Sequence, residues 1–144
     1  VKRVNIDKKL LEWAQECDAL TDTPLLNWLG ANDGECAIVP IPAEAEPGFI
    51  SGDVKEVTYD FMFQVMFKLS EATDDVNADN MLTLRGWQDW IDEQEEAGNY
   101  PDFGEGYSCY ELQNLSNMPQ LAEVYESGMA KFQFPVRLKY LEEK

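Results

Sequence analysis

Two stretches of the chain alternate strictly between apolar and polar side chains, and both read as β-strands. In EVTYDFMFQVMFKL, Val57, Tyr59, Phe61, Phe63, Val65, Phe67 and Leu69 alternate with Thr58, Asp60, Met62, Gln64, Met66 and Lys68. Successive side chains of a strand point to opposite faces, so one face here is wholly apolar and the other is mixed. A sheet packed on one side and partly wet on the other favours antiparallel pairing. The second stretch, AKFQFPVRLKYLEE, sets Ala130, Phe132, Phe134, Val136, Leu138 and Tyr140 against Lys131, Gln133, Pro135, Arg137 and Lys139. Pro135 has no N–H to donate, which predicts an edge strand or a bulge. Two shorter strands are expected, CAIVPI from Cys36 and SCYELQNLS from Ser108 to Ser116. Pro40 marks the end or the edge of the first.

The helical pattern has a different period. Leu10, Leu11, Trp13, Ala14 and Cys17 recur at helical spacing between Asp7 and Leu20, with Asp7 placed to cap. A longer helix is expected from about Asn77 to Ala97. At 100° per residue, Leu84, Trp87, Trp90, Ile91, Gln94 and Ala97 share one arc, and Asp89, Asp92, Glu93 and Glu96 lie opposite. Tryptophans and acids therefore occupy different faces. Asn77 or a neighbour is placed to cap this helix, Gly98 to stop it, and Pro101 to keep it from resuming.

Between these elements the chain is rich in turn formers. LLNWLGANDG after Pro24 is a brief apolar run closed by a turn cluster, and NMPQLAEVYESG reads as a loop. PAEAEPGFISGD, from Pro42 to Asp53, reads as a long surface loop around the apolar pair Phe49 and Ile50. Such a loop reads either as a mobile connection or as a contact arm, and the second reading makes Phe49 and Ile50 candidate subunit-interface residues. Pro135 and Arg137, on the expected edge strand, are the other interface candidates, because an open edge is a ready joint for β-augmentation. The whole reads as one α+β domain over residues 1–144: a mainly antiparallel four-stranded sheet with an N-terminal helix and one long amphipathic helix on one face.

Composition narrows the chemistry. The 28 acidic against 11 basic residues give a formal charge of −17, which disfavours phosphate contacts and so direct nucleic-acid binding. Histidine is absent, which removes the usual general base, the commonest metal ligand and the usual partner of a serine or cysteine nucleophile. Cys17, Cys36 and Cys109 are scattered and read as small buried apolar residues. Asp75, Asn77 and Asp79 fit the start of a calcium-binding loop, but Asn80 stands where glycine is needed and Gly86 where a bidentate glutamate is needed. There is no glycine-rich phosphate loop and no nucleophile elbow, and the acids of the long helix read as a hydrated face. No catalytic residue, cofactor site or metal site is expected, and the chain does not read as an enzyme. No apolar run is long enough for a membrane span, and the N-terminus lacks an apolar signal core, so synthesis in the cytoplasm is expected.

The order GWQDWIDEQEEAGNYPDF, YELQNLS, AEVYESG, MAKFQFPVRLKYLEE resembles small minor capsid or tail proteins of the tail terminator or tail completion type, from long-tailed phages and prophages of Gram-positive bacteria. Trp90, Ile91, Gly98 and Pro101, then Leu112 and Leu115, then Ala130, Phe132, Gln133, Leu138 and Tyr140 carry the resemblance, over about the last 90 residues. It implies helices on one face of a sheet and a homo-oligomeric ring, commonly a hexamer, that ends the tail tube and joins it to the head. Its partners would be tail-tube and head-connector proteins, and its location the virion tail. An acidic lumen would suit such a ring, because repulsion keeps passing DNA from adhering. The alternative reading is an acidic DNA mimic or regulatory inhibitor, which needs carboxylates spaced like phosphates along one continuous face.

Overall fold

The two alternating stretches become the two central strands of one sheet. The computed structural model describes residues 5–17, 24–27, 33–42, 48–68 and 74–143. Its elements are α1 (Ile6–Ala14), β1 (Leu25–Leu26), β2 (Cys36–Ile41), β3 (Gly48–Ser51), β4 (Val54–Lys68), α2 (Asp74–Ala97), β5 (Tyr107–Asn114), β6 (Gln120–Val124) and β7 (Met129–Glu143). β4 and β7 pair antiparallel along their full 15 residues, from Val54 opposite Glu143 to Lys68 opposite Met129. With no bulge in either, their apolar faces coincide. Phe61, Phe63, Val65 and Phe67 lie beside Val136, Phe134, Phe132 and Ala130, all buried.

The four expected strands are β2, β4, β5 and β7, adjacent in the order β2-β4-β7-β5 and all antiparallel. Three short strands join them. β3 pairs with β4 at residues 54–56, beyond the β2 pairing at residues 60–65, so β2 and β3 lie end to end along one side of β4. β5 and β6 likewise lie end to end along the far side of β7, with residues 115–119 looping out between them. The sheet thus has four long rows, and both outer rows are broken once. β1 adds a two-residue parallel pairing outside β2.

Several expectations change. Gly48–Ser51 is a strand that forms a hairpin with β4 through Gly52 and Asp53, so Phe49 and Ile50 stand in the sheet and not in a loop. Gln120–Val124, also expected as loop, is β6. β7 is central, not an edge strand. Pro135 is tolerated there because its carbonyl accepts from the Leu115 N–H (3.0 Å) on the β5 side. The N–H and C=O of a strand residue point the same way, so the missing donor falls in the gap after β5 ends and before β6 begins. α1 is shorter than expected and is capped by Asn5, whose side chain accepts from the Lys8 N–H, while Asp7 sits in the first turn. α2 begins at Asp74, three residues before Asn77, which is therefore inside the helix. The stretches 18–23, 28–32, 43–47 and 69–73 lie outside the described residues, as do the Trp28 run, the proline-glutamate part of the surface loop and Leu69.

The core lies between the sheet and the two helices. Leu84, Trp87, Trp90 and Ile91 of α2 and Leu10, Trp13 and Ala14 of α1 close it, while Asp89, Asp92, Glu93 and Glu96 are exposed as the wheel requires. Trp87 packs 4.3 Å from Phe63 and 5.6 Å from Phe134, centroid to centroid. Ala97, placed by the wheel on the inner arc, is exposed, and Gln94 is half-buried. Gln88 is buried instead and donates to the Ser116 carbonyl at 3.2 Å. Cys17 and Cys36 are buried as expected; Cys109 is half-buried against the core.

Candidate functional site

The most distinctive surface is the outer row formed by β5, the 115–119 excursion and β6. Two bulges bend it, at Tyr110 and at Ala122, where the register with β7 shifts. A bulge makes residues three apart share a face, so Cys109 and Leu112 both turn inward, and Leu121 and Val124 share the helix-side face. Among the described residues the large exposed hydrophobics are Leu82, Tyr110, Leu115, Met118, Leu121 and Val124. Five of those six lie on this row. Leu121 and Val124 are 51% and 54% exposed although they flank Phe132 and Ala130, because α2 does not extend over β6. The outer backbone edge of β6 has no strand partner among the described residues.

α2 holds the row in place at its middle. The Glu95 carboxylate accepts from the Leu112 N–H (2.7 Å) and from the Tyr100 hydroxyl (3.0 Å). The Asn114 amide donates to the Gln88 carbonyl (3.1 Å) and to Asp92 (3.0 Å). A polar cleft of about 360 Å³ between α2 and the excursion is lined by Arg85, Asp89 and Asn117 beside these groups. The acids nearest the row therefore act as hydrogen-bond acceptors for it.

The face of the sheet turned away from the helices carries cross-strand ion pairs. Arg137 meets Asp60 through two hydrogen bonds of 2.8 and 3.0 Å, and Lys131 with Glu123 and Lys139 with Glu111 pair at 3.8 and 3.7 Å. The Arg137 guanidinium is held above its ordinary value, first by the hydrogen bonds to Asp60. Of the expected interface residues, Pro135 and Arg137 lie on this face opposite Met62 and Asp60, whereas Phe49 and Ile50 lie in β3 at the far end of β4. The fold does not bring the two pairs together, and the side chains of Phe49 and Ile50 lie outside the described part of the structure.

A second concavity, about 370 Å³, opens where the start of α1 meets the ends of β4, β5 and β7. Tyr59, Tyr107 and Tyr140 line it with Asp7, Lys55 and Glu142. The Tyr59 hydroxyl donates to Asp7, and the Tyr107 hydroxyl to Glu142 at 3.5 Å. Burial, then the bond to Asp7, drives the Tyr59 phenol far above its ordinary value, and burial pushes Tyr140 up to about 12. Both stay protonated, Tyr59 as a donor to Asp7 and Tyr140 as buried aromatic surface, and neither serves as a base.

No protein-family model matches the chain, and no curated protein matches it.

Among the described residues no cluster of three or more acidic or cysteine side chains could hold a metal ion, and no helix is long and apolar enough to cross a membrane. Sequence reasoning missed the outer row because its bulges break the period of two on which strand recognition depends. It missed the tyrosine cavity because the lining residues come from four elements that only the fold brings together. Tyrosine among alternating apolar residues was the available signal, and it read as core.

Proposed function

We propose that the chain is a structural virion protein of a phage or prophage that assembles into a ring, ends the tail tube and joins it to the head. The class of virion protein comes from the sequence resemblance; the assembly reading rests on the outer row, where Tyr110, Leu115, Met118, Leu121 and Val124 are exposed along one open sheet edge. A long apolar edge is a hazard to a solitary chain and a joint for an assembling one. β3, with Phe49 and Ile50, stands in the opposite outer row. An edge-to-edge contact between the β5–β6 row of one copy and the β2–β3 row of the next is head-to-tail, and such contacts close into rings when the rotation permits. That contact keeps Phe49 and Ile50 at the interface and leaves Pro135 and Arg137 on the open face. The exposed acids Asp89, Asp92, Glu93 and Glu96 lie on the outer face of α2, where Asp92 also holds Asn114, and would line an acidic lumen.

The test is the mass of the protein in solution over a concentration series, paired with electron microscopy of purified protein added to tails that lack it. Rings at tail ends are the expected result. A strict monomer that never binds tail ends and instead inhibits a nuclease would replace this reading with that of a DNA mimic.

A further inference from the structure

The cavity at the start of α1 has a chemistry that the assembly reading does not use. Its volume of about 370 Å³ is within the usual size of small-molecule sites. Three tyrosines from three strands line it, Tyr59 from β4, Tyr107 from β5 and Tyr140 from β7. The Tyr107 and Tyr140 rings are 6.1 Å apart and inclined at 53°; Tyr140 is buried and packs edge-on against Phe103, so the half-buried Tyr59 and Tyr107 offer the accessible aromatic surface. Two carboxylates, Asp7 and Glu142, stand among them against the single ammonium of Lys55.

We infer that this cavity binds a small organic cation, with a quaternary ammonium group seated against Tyr59 and Tyr107, beside the buried Tyr140, and countered by Asp7 and Glu142. The negative face of a phenol ring attracts a cation, and a weakly hydrated trimethylammonium gives up less solvation than a metal ion or an ammonium when it enters. The Tyr59 hydroxyl donates a hydrogen bond to Asp7, which pushes electron density into that ring and strengthens the attraction, while the Tyr107 hydroxyl lies 3.5 Å from Glu142. The carboxylates are thereby fixed beside the rings, so charge and aromatic surface converge without rearrangement. An anion would meet two negative groups and one positive. The formal charge of −17 further raises the local concentration of any cation. Lys55, opposite Glu142 in the β4–β7 register, is the internal competitor for the same carboxylate.

Titration of the full chain with choline chloride, followed by heteronuclear NMR at constant ionic strength, tests this. The control ligand is the neutral isostere in which a tert-butyl group replaces the trimethylammonium. Saturable shifts at Tyr59, Tyr107 and Tyr140, with choline bound about tenfold tighter than the isostere, are expected. Tyr107→Leu and Glu142→Gln should each weaken choline about tenfold, while Lys55→Gln should tighten it. Glu142→Gln and Lys55→Gln carry the test if Tyr107→Leu does not fold. Equal binding of the two ligands, or shifts confined to the acidic side of α2, overturns the inference. Because the readout is on the unassembled chain, its failure is distinct from failure to form rings.

Discussion

Trp13 of α1 donates its indole N–H to the Asn99 carbonyl at 2.9 Å, just past the end of α2. Its ring also lies 4.8 Å from that of Trp90, so one side chain ties the short helix to the long one by a polar and an apolar contact. Trp13→Phe keeps most of the packing and leaves the Asn99 carbonyl to water, at an expected cost of about 1 kcal/mol. Trp13→Ala should cost about 3–5 kcal/mol, since a large buried side chain is lost and a cavity remains. Urea unfolding monitored by far-ultraviolet circular dichroism separates the two.

Pro135 occupies a position where a strand donor has no partner to reach. Pro135→Ala should therefore change stability by less than about 1 kcal/mol, as at other sites without a lost contact. The neighbouring N–H groups point the other way, towards β4, so Val136→Pro should cost about 3 kcal/mol or more by removing a ladder bond in the centre of the sheet. A comparison of urea midpoints checks the contrast, and equal effects would contradict the direction assigned to the Pro135 backbone.

Leu121 and Val124 are exposed, so charge there should spare the fold and act on association. The double variant Leu121→Lys with Val124→Lys is expected to unfold within about 1 kcal/mol of the parent chain. Its sedimentation profile should lose whatever concentration-dependent species the parent shows. Lysine is also a common guard residue on open strand edges, which is why it is the substitution of choice.

Tyr140 predicts the alkaline limit of stability. Its phenol is pushed from an ordinary 10.0 up to about 12, by burial first and then by the Glu142 charge. Between those values the unfolded chain has released the proton and the folded chain still holds it, so stability falls as pH rises from 10 towards 12 and is unaffected below. Cys109, raised from 9.0 to about 12 by burial and then by Asp102, adds a decline in the same sense that begins near pH 9. Tyr140→Phe should make the fall in urea midpoint across this window shallower. Alkylation of the Cys109 thiol at neutral pH should be far slower than in the unfolded chain, because the thiolate is the reactive form.

How much of this was readable in the chain follows from where each pattern had a single cause. The alternation of β4 and β7 was legible because both strands are regular for their whole length and dry on one face. The outward turn of Asp89, Asp92, Glu93 and Glu96 was legible because α2 is one uninterrupted helix over a flat apolar surface. β3 and β6 were not, since each is only four or five residues long beside turn formers and bulges at Phe49–Ser51 and at Leu121–Glu123 spoil the period. Phe103, 1% exposed and 5.2 Å from Tyr140, carries no periodic signal because the residues around it are turn formers.

Sequence alone determined the α+β class, the two long alternating strands and the separation of tryptophan from carboxylate, since each depends on local period and on the cost of burying charge. The tertiary structure decided which strand lies where. Nothing local tells β7 that β5 and β6 will share its outer side, that Pro135 will fall in the gap between them, or that Tyr59, Tyr107 and Tyr140 will meet above Asp7. Those relations arise from pairing between residues far apart in the chain, where register is chosen by the whole sheet at once.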